Sequence, residues 1–410
     1  SGEDTIMGFT YTEKELREFN IGDNVYSVNP DYAEKNHSTV ITDLPQKDNE
    51  TNIITTEDRK KFKVLKTSPD DMSGYQGMAV APIIKGKVDY NSVAVISAAT
   101  DSSNYKDLIG AVSSAQPHQS STQLKSADKF LKEVQSHDKW TVTQLSGYSQ
   151  SAYMLKLGAK YHIPTTVFNG WFRYSTLNED EKKFMAKHPE YFANFRHKED
   201  NVTWWNDFNK LDDKDYGTVK WVNGKSHKIE SWKFTDDGKL KDEKGNIVNP
   251  KSLAIQSVLY EEVHFQKAKA KLKKSGGKLS HSEKVYLDSE QAIFIANGLT
   301  TASQTASDDI KKNAELAKEK ASELFAKTKV MLPGITDLSP EELADAYSEG
   351  GVREDTIVTP IETFFDEKVT NAQEITTSYI NLQKQIESGV QKLLEEDSKL
   401  AGEFKEWSQY

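Results

Sequence analysis

Apolar residues along this chain fall into two regimes. In the first, short β-branched blocks such as "SVAVISAAT" (92–100), "TVTQLSG" (141–147) and "PTTVFNG" (164–170) predict buried strands. A strand covered on both faces carries apolar side chains at successive positions rather than alternate ones. Between these blocks, "SADKFLKEVQSHDKW" (126–140) and "SAYMLKLGAKYH" (151–162) carry the apolar spacing of one helix face. Strand and helix alternate at the length of βαβ units, which predicts a parallel sheet with helices on both faces. Nearer the N-terminus, "TEKELREF" predicts a short helix and "KKFKVLKTS" a strand. After the third strand, "NEDEKKFMAKHPEYFANFRHKED" predicts an aromatic-rich helix. "VTWWN" and "GTVKWV" then follow as strand-like runs, the second leading into the loop "NGKSHKIESW".

The second regime begins near Ser252, where strand patterns stop. "SLAIQSVLYEEVHFQKAKAKLKK" predicts a helix, "SGGKLS" breaks it, and helix-forming sequence resumes near His281 and runs to about Lys329. Ser339, Pro340 and Glu342 spell a capping box with proline at the first helical position. From Ile361 to Trp407 apolar residues recur mostly three and four apart, which predicts one long helix whose stripe needs another helix to cover it. The helices 282–329 and 359–407 are therefore expected to fold back as an antiparallel pair. Phe364, Phe365, Tyr379, Ile380, Phe404 and Trp407 form a candidate face for an external partner. The expected fold class is α/β, a mainly parallel sheet over residues 1–265, followed by an all-α long helical hairpin over 282–410.

Charge sharpens this division. Residues 291–410 hold 12 Lys+Arg against 22 Asp+Glu, so the chain's entire formal net charge of −10 sits there and the remainder is balanced. Six of the seven tryptophans lie between Trp140 and Trp232. Two modules of different kind are implied, and the acidic one is unsuited to nucleic acid, whose phosphates need clustered Lys and Arg. With no cysteine, disulfides, thiolate metal sites and a cysteine nucleophile are excluded. No metal or other cofactor is expected. The N-terminal "SGEDTIMGFTYTEKELREFN" lacks the apolar core of a secretory signal. No run approaches the roughly 18–20 apolar residues of a membrane span.

The candidate chemistry centres on Ser149 in "QLSGYSQSAYMLKLG". A serine on a tight strand-to-helix turn, with small residues two before and two after, presents its oxygen clear of the backbone. Gly147 and Ser151 supply those positions, and the alternative is an ordinary serine at a helix N-terminus. A hydroxyl needs a base before it attacks, and in this arrangement the acid and then the histidine follow in the chain. Six histidines lie downstream. His227 sits in a loop after a strand and is the expected base. His162 is expected to cap the helix after the turn, His188 and His197 to face solvent, and His264 and His281 fall in the helical half. Asp207, after "VTWWN", is the expected acid, with Asp212 and Asp213 as alternatives. The oxyanion donors are expected to be the backbone N–H of Gln150 and one at or near Thr100. Residues 171–200 are expected to form either a mobile cover over the site or a helical insertion packed on the sheet.

Taken together, "VAVISAATDSSNYKDLIGA", "LSGYSQSAYMLKLG", "PTTVFNGW", "NVTWWNDFNKL" and "GKSHKIESW" resemble the class-3-type lipase branch of the α/β-hydrolases. In that branch "VAFRGT" precedes the oxyanion loop and the turn reads GHSLGG. Here Ala98-Ala99-Thr100 replaces Arg-Gly-Thr, Tyr148 replaces the histidine, and Gln150-Ser151 replaces Leu-Gly. The stretch "VTPIETFFDEKVTNAQEITTSYINLQKQIESGVQKLLEEDSKLAGEF" resembles the long helices of LXG and related type VII secretion targeting domains. Lipase first and helices last is similar to type VII-secreted lipase toxins with reversed domain order. The resemblance implies a lipid or acyl-ester substrate and export without a signal peptide. It also implies small helical accessory proteins at the helical domain, and an immunity protein blocking the lipase domain. Competing expectations are a catalytically inactive hydrolase-like binding module and a housekeeping esterase with a helical oligomerisation tail.

Overall fold

The computed structural model describes residues 9–45, 52–69, 73–99, 117–200, 214–248, 253–273, 281–328, 330, 333–334 and 337–407. The chain divides into two compact units, residues 1–251 with 259–267, and residues 252–258 with 268–410.

Among the described residues, the first unit is built on a nine-stranded sheet. Its strands are β1 (Ile53–Thr55), β2 (Lys61–Ser68), β3 (Gly77–Ile84), β4 (Lys87–Val88), β5 (Val93–Ser97), β6 (Val142–Tyr148), β7 (Thr165–Phe168), β8 (Phe192–His197) and β9 (Val219–Val222). They lie in the order β1-β2-β3-β5-β6-β7-β8-β9, with β4 paired to β3. The sheet is mixed. Its β1–β5 side is antiparallel, and from β5 to β9 every pairing is parallel. A short ribbon, β10 (Lys233–Phe234) with β11 (Leu240–Lys241), stands apart.

Burial explains the strand sequences. Every residue of β5, β6, β7 and β8 is buried, so these strands carry no polar face to reveal a period of two. Their side chains alternate between two cores: Val93 and Val95 belong to one, Ala94 and Ile96 to the other. The first core is closed by the helix Pro117–Gln135, through Ala127, Phe130, Leu131 and Val134, and by the helix Met154–Tyr161. The second is closed by the helix Glu13–Phe19, through Leu16 and Phe19, and by Trp232. Thr12 caps the helix Glu13–Phe19 in a reciprocal box with Glu15.

Residues 171–200 are built into this unit. Tyr174, Leu177, Met185 and Tyr191 are buried, and Phe192–His197 is strand β8, between β7 and β9. The helix Glu179–Lys187 is tied down by Lys156 Nζ, which bonds Glu181 at 2.5 Å and the carbonyl of Thr176 at 2.9 Å. Of the two expectations for this segment, the packed insertion is the one observed, and its second half is sheet rather than helix.

The second unit is helical. Two helices, His281–Thr328 and Thr359–Trp407, run antiparallel: Gln383 Nε2 bonds Asn297 Oδ1, Thr300 Oγ1 bonds the carbonyl of Tyr379, and Thr376 Oγ1 bonds that of Ser303. Among the described residues, the buried apolar ones along them are small, Ala296, Ala314, Ala321 and Ala372. Between them the helix Pro340–Glu349 begins with the Ser339–Glu342 capping box. On the expected partner face, Phe364 is exposed and Phe365, Tyr379 and Ile380 are partly buried, while the side chains of Phe404 and Trp407 lie outside the described residues. Among the described residues no helix is long and apolar enough to cross a membrane.

Candidate active site

The site forms at the carboxyl ends of the parallel strands. Strand β6 ends at Tyr148, and Ser149 follows with φ +51°, a left-handed backbone that costs a non-glycine residue about 1–3 kcal/mol. A tight 3-10 turn over Ser149–Tyr153 then runs into the helix Met154–Tyr161. Close packing fixes the residue types around this turn. A Cβ on Gly147 would stand 2.5 Å from the carbonyl oxygen of Ser151, so only glycine fits there. Ser151 is fully buried, and its hydroxyl folds back on the backbone of Tyr148, accepting from the N–H at 2.7 Å and donating to the C=O at 2.8 Å. That pair of bonds is how a serine occupies a place usually given to glycine. From the adjacent strand end, Trp171 N donates to the carbonyl of Ser149 at 3.0 Å.

His227 lies five residues beyond the end of β9, on a loop. Its Nε2 is 2.8 Å from Ser149 Oγ and its Nδ1 is 2.7 Å from Asp200 Oδ2. A carboxylate only accepts, so Nδ1 carries the proton and Nε2 is left to accept from the serine hydroxyl. All three side chains are almost wholly buried, with Ser149 at 3% exposure and His227 and Asp200 at 1%. Exclusion of water strengthens both hydrogen bonds. Asp200 comes three residues after the end of β8, where its N–H donates to the carbonyl of His197.

The loop that carries His227 is held by side chains from neighbouring strand ends. The carbonyl of His227 accepts from Tyr148 Oη at 2.7 Å and from Asn169 Nδ2 at 3.1 Å. The carbonyl of Ser226 accepts from His197 Nδ1 at 2.6 Å. His197 stacks on Trp232 with ring centroids 3.8 Å apart, and a Cβ on Gly224 would collide with its ring. Burial lowers the pKa of His197 below the usual histidine value, which keeps it neutral at pH 7.

The structure thus brings Ser149 and His227 together as expected, with Gln150 immediately after the serine in the 3-10 turn. The carboxylate on His227 is Asp200. Asp207, Asp212, Asp213 and Thr100 lie outside the described residues. His162 does cap its helix, in a left-handed conformation with its N–H on the carbonyl of Gly158. His197 departs from expectation: it is a buried strand residue, because Phe192–His197 forms sheet. Two contributors went unread in the sequence, Asp200 and Asn169. The signal for Asp200 was available in "FANFRHKED", an aromatic run of strand length that ends in charged residues. Among the described residues, no cluster of His, Asp and Glu could hold a metal ion.

Comparison of the chain with protein-family models, with curated proteins and with solved structures returns no match. The functional reading therefore rests on geometry and chemistry.

Proposed function

We propose that this chain is a serine hydrolase of the α/β-hydrolase type that cleaves acyl esters of lipids. The observation that carries the reading is the Ser149–His227–Asp200 relay, seated on a left-handed strand-to-helix residue at the carboxyl ends of parallel strands. In this reading His227 takes the proton of Ser149 as its oxygen attacks the ester carbonyl. Asp200 holds the imidazole in the tautomer that accepts at Nε2 and stabilises the imidazolium that forms. The N–H of Gln150, with a second donor near Thr100, binds the oxyanion. Each such donor is worth roughly 3–4 kcal/mol in the transition state. His227 then returns the proton to the departing alcohol, and water releases the acyl group by the same steps in reverse roles.

Hydrogen-bond distances of 2.8 and 2.7 Å favour this over an inactive hydrolase-like binding module, in which nothing would require the relay to be assembled. For the helical unit we propose a targeting role in type VII export, with small helical accessory proteins on its apolar face and an immunity protein against the lipase unit. Large apolar side chains exposed along both long helices support a partner there. The deciding experiment is labelling by a fluorophosphonate probe together with release of fatty acid from esters of graded chain length. Labelling and release that vanish in Ser149→Ala support the reading, and release that persists in that variant overturns it.

A further inference from the structure

His227 acts from a loop, and a loop has to be held in place by other groups. Catalysis tolerates little error in that placement: a displacement of about 1 Å can cost on the order of a hundredfold in rate. Three buried side chains reach this loop from three different strand ends, and all three bond its main chain rather than its side chains. Two of them, Tyr148 and Asn169, converge on a single acceptor, the carbonyl of His227. A carbonyl has two lone pairs and can take both donors at once.

The register of the sheet produces this convergence. Tyr148 and Phe168 are partners on the parallel strands β6 and β7. The next residues, Ser149 and Asn169, are therefore equivalent positions on adjacent strand ends, and both are left-handed, at φ +51° and +44°. Asn169 also accepts from His197 N at 3.1 Å, and its own N–H donates to the carbonyl of Phe195 at 2.6 Å. A buried side chain that ties its own strand, β8 and the His227 loop together is specified far beyond what filling space requires.

We infer that Tyr148 and Asn169 form a two-donor clamp on the His227 carbonyl which sets the imidazole against Ser149, so that both are positioning residues of the proposed hydrolase. The inference rests on the reading given above. Either donor alone leaves the carbonyl one partner, so each single loss is mild and the combined loss exceeds the product of the two.

The test uses the full chain and a short-chain p-nitrophenyl ester, with a thermal melt of every variant. Tyr148→Phe removes one oxygen and keeps the ring, which lies 5.4 Å from the imidazole. Asn169→Gly removes the amide and keeps a residue that accepts a positive φ. Each single substitution should lower kcat about threefold to tenfold with KM within about twofold, and the pair should lower it by more than about a hundredfold. A kcat equal to that of the unsubstituted chain in the folded double variant overturns the clamp. If the double variant does not fold, the singles decide, and full kcat in both overturns it. The two readings fail separately. A chain without Ser149-dependent turnover ends the hydrolase reading and the clamp with it. An active chain indifferent to both substitutions ends the clamp alone.

Discussion

The two units solve burial in opposite ways. Among the described residues, the sheet unit exposes four large apolar side chains, Leu44, Tyr90, Trp221 and Ile247, and buries whole aromatic clusters. The helical unit exposes thirteen, from Tyr286 to Leu400, and what it buries along its long helices is alanine, serine and threonine. Small residues at the contact let two helix backbones approach closely but leave the larger ones facing outward. The lesson is that a well-formed helix pair need not have a core of its own, whereas the sheet unit supplies its own core and can hold buried chemistry at its edge.

If the chemistry belongs to the sheet unit alone, the largest effects should come from a handful of its polar residues. Ser149→Ala and His227→Ala should each reduce ester turnover by about 10⁴–10⁶-fold, and the double variant should be little worse, because the residues act as a unit. Steady-state rates on one ester check this. Asp200→Asn should cost about 10⁴-fold with the fold intact, since the imidazole loses its orienting acceptor, while Asp207→Asn should stay within about threefold. A reversal of those two outcomes would move the acid to Asp207.

Core substitutions sharpen the contrast between the units. Phe62, fully buried among the rings of Phe9, Tyr11 and Phe19, should lose about 3–5 kcal/mol as Phe62→Ala in denaturant unfolding. A smaller effect concerns pH. Burial pushes the Glu15 carboxyl up to about 7, against the pull of Lys60 at 2.6 Å. With the folded pKa above the unfolded one, the folded state holds more protons between roughly pH 4.5 and 7, so stability from this group falls as pH rises through that window. The melting temperature of Glu15→Gln, relative to the unsubstituted chain, should rise from pH 5 to pH 7.5. The least effect is expected on the helical unit. Leu324, 59% exposed, should change stability by less than about 0.5 kcal/mol as Leu324→Ser, since it leaves no buried contact behind.

Sequence pattern reached the parallel strands β5, β6 and β7 because each is a dense β-branched block beside a helix of clear period. It reached the two long helices because three-and-four spacing persists through them. It missed β3, "GMAVAPII", whose proline argues against a sheet interior until the neighbouring strands are known. It missed β8 because "FANFRH" is buried throughout and its aromatic residues merged with the helical pattern, although Pro189 marks the end of the preceding helix. That single omission left Asp200, the carboxylate bonded to His227, outside the expected site. Ser149 and His227 were legible because turn chemistry and chain order can both be read along the sequence without knowing the sheet. Asn169 was not, since its role depends on which strand ends the sheet brings side by side.

The left-handed backbone at Ser149 has a consequence along the chain. Its strain is offset by contacts from elsewhere in the fold: Trp171 N on the serine carbonyl, the Ser151 hydroxyl on Tyr148, and the pairing of β6 with β7. The imidazole beside it arrives on a segment some eighty residues later in the chain. The bond between Ser149 and His227 therefore joins segments 78 residues apart, and a fragment ending at β6 carries the serine without the histidine.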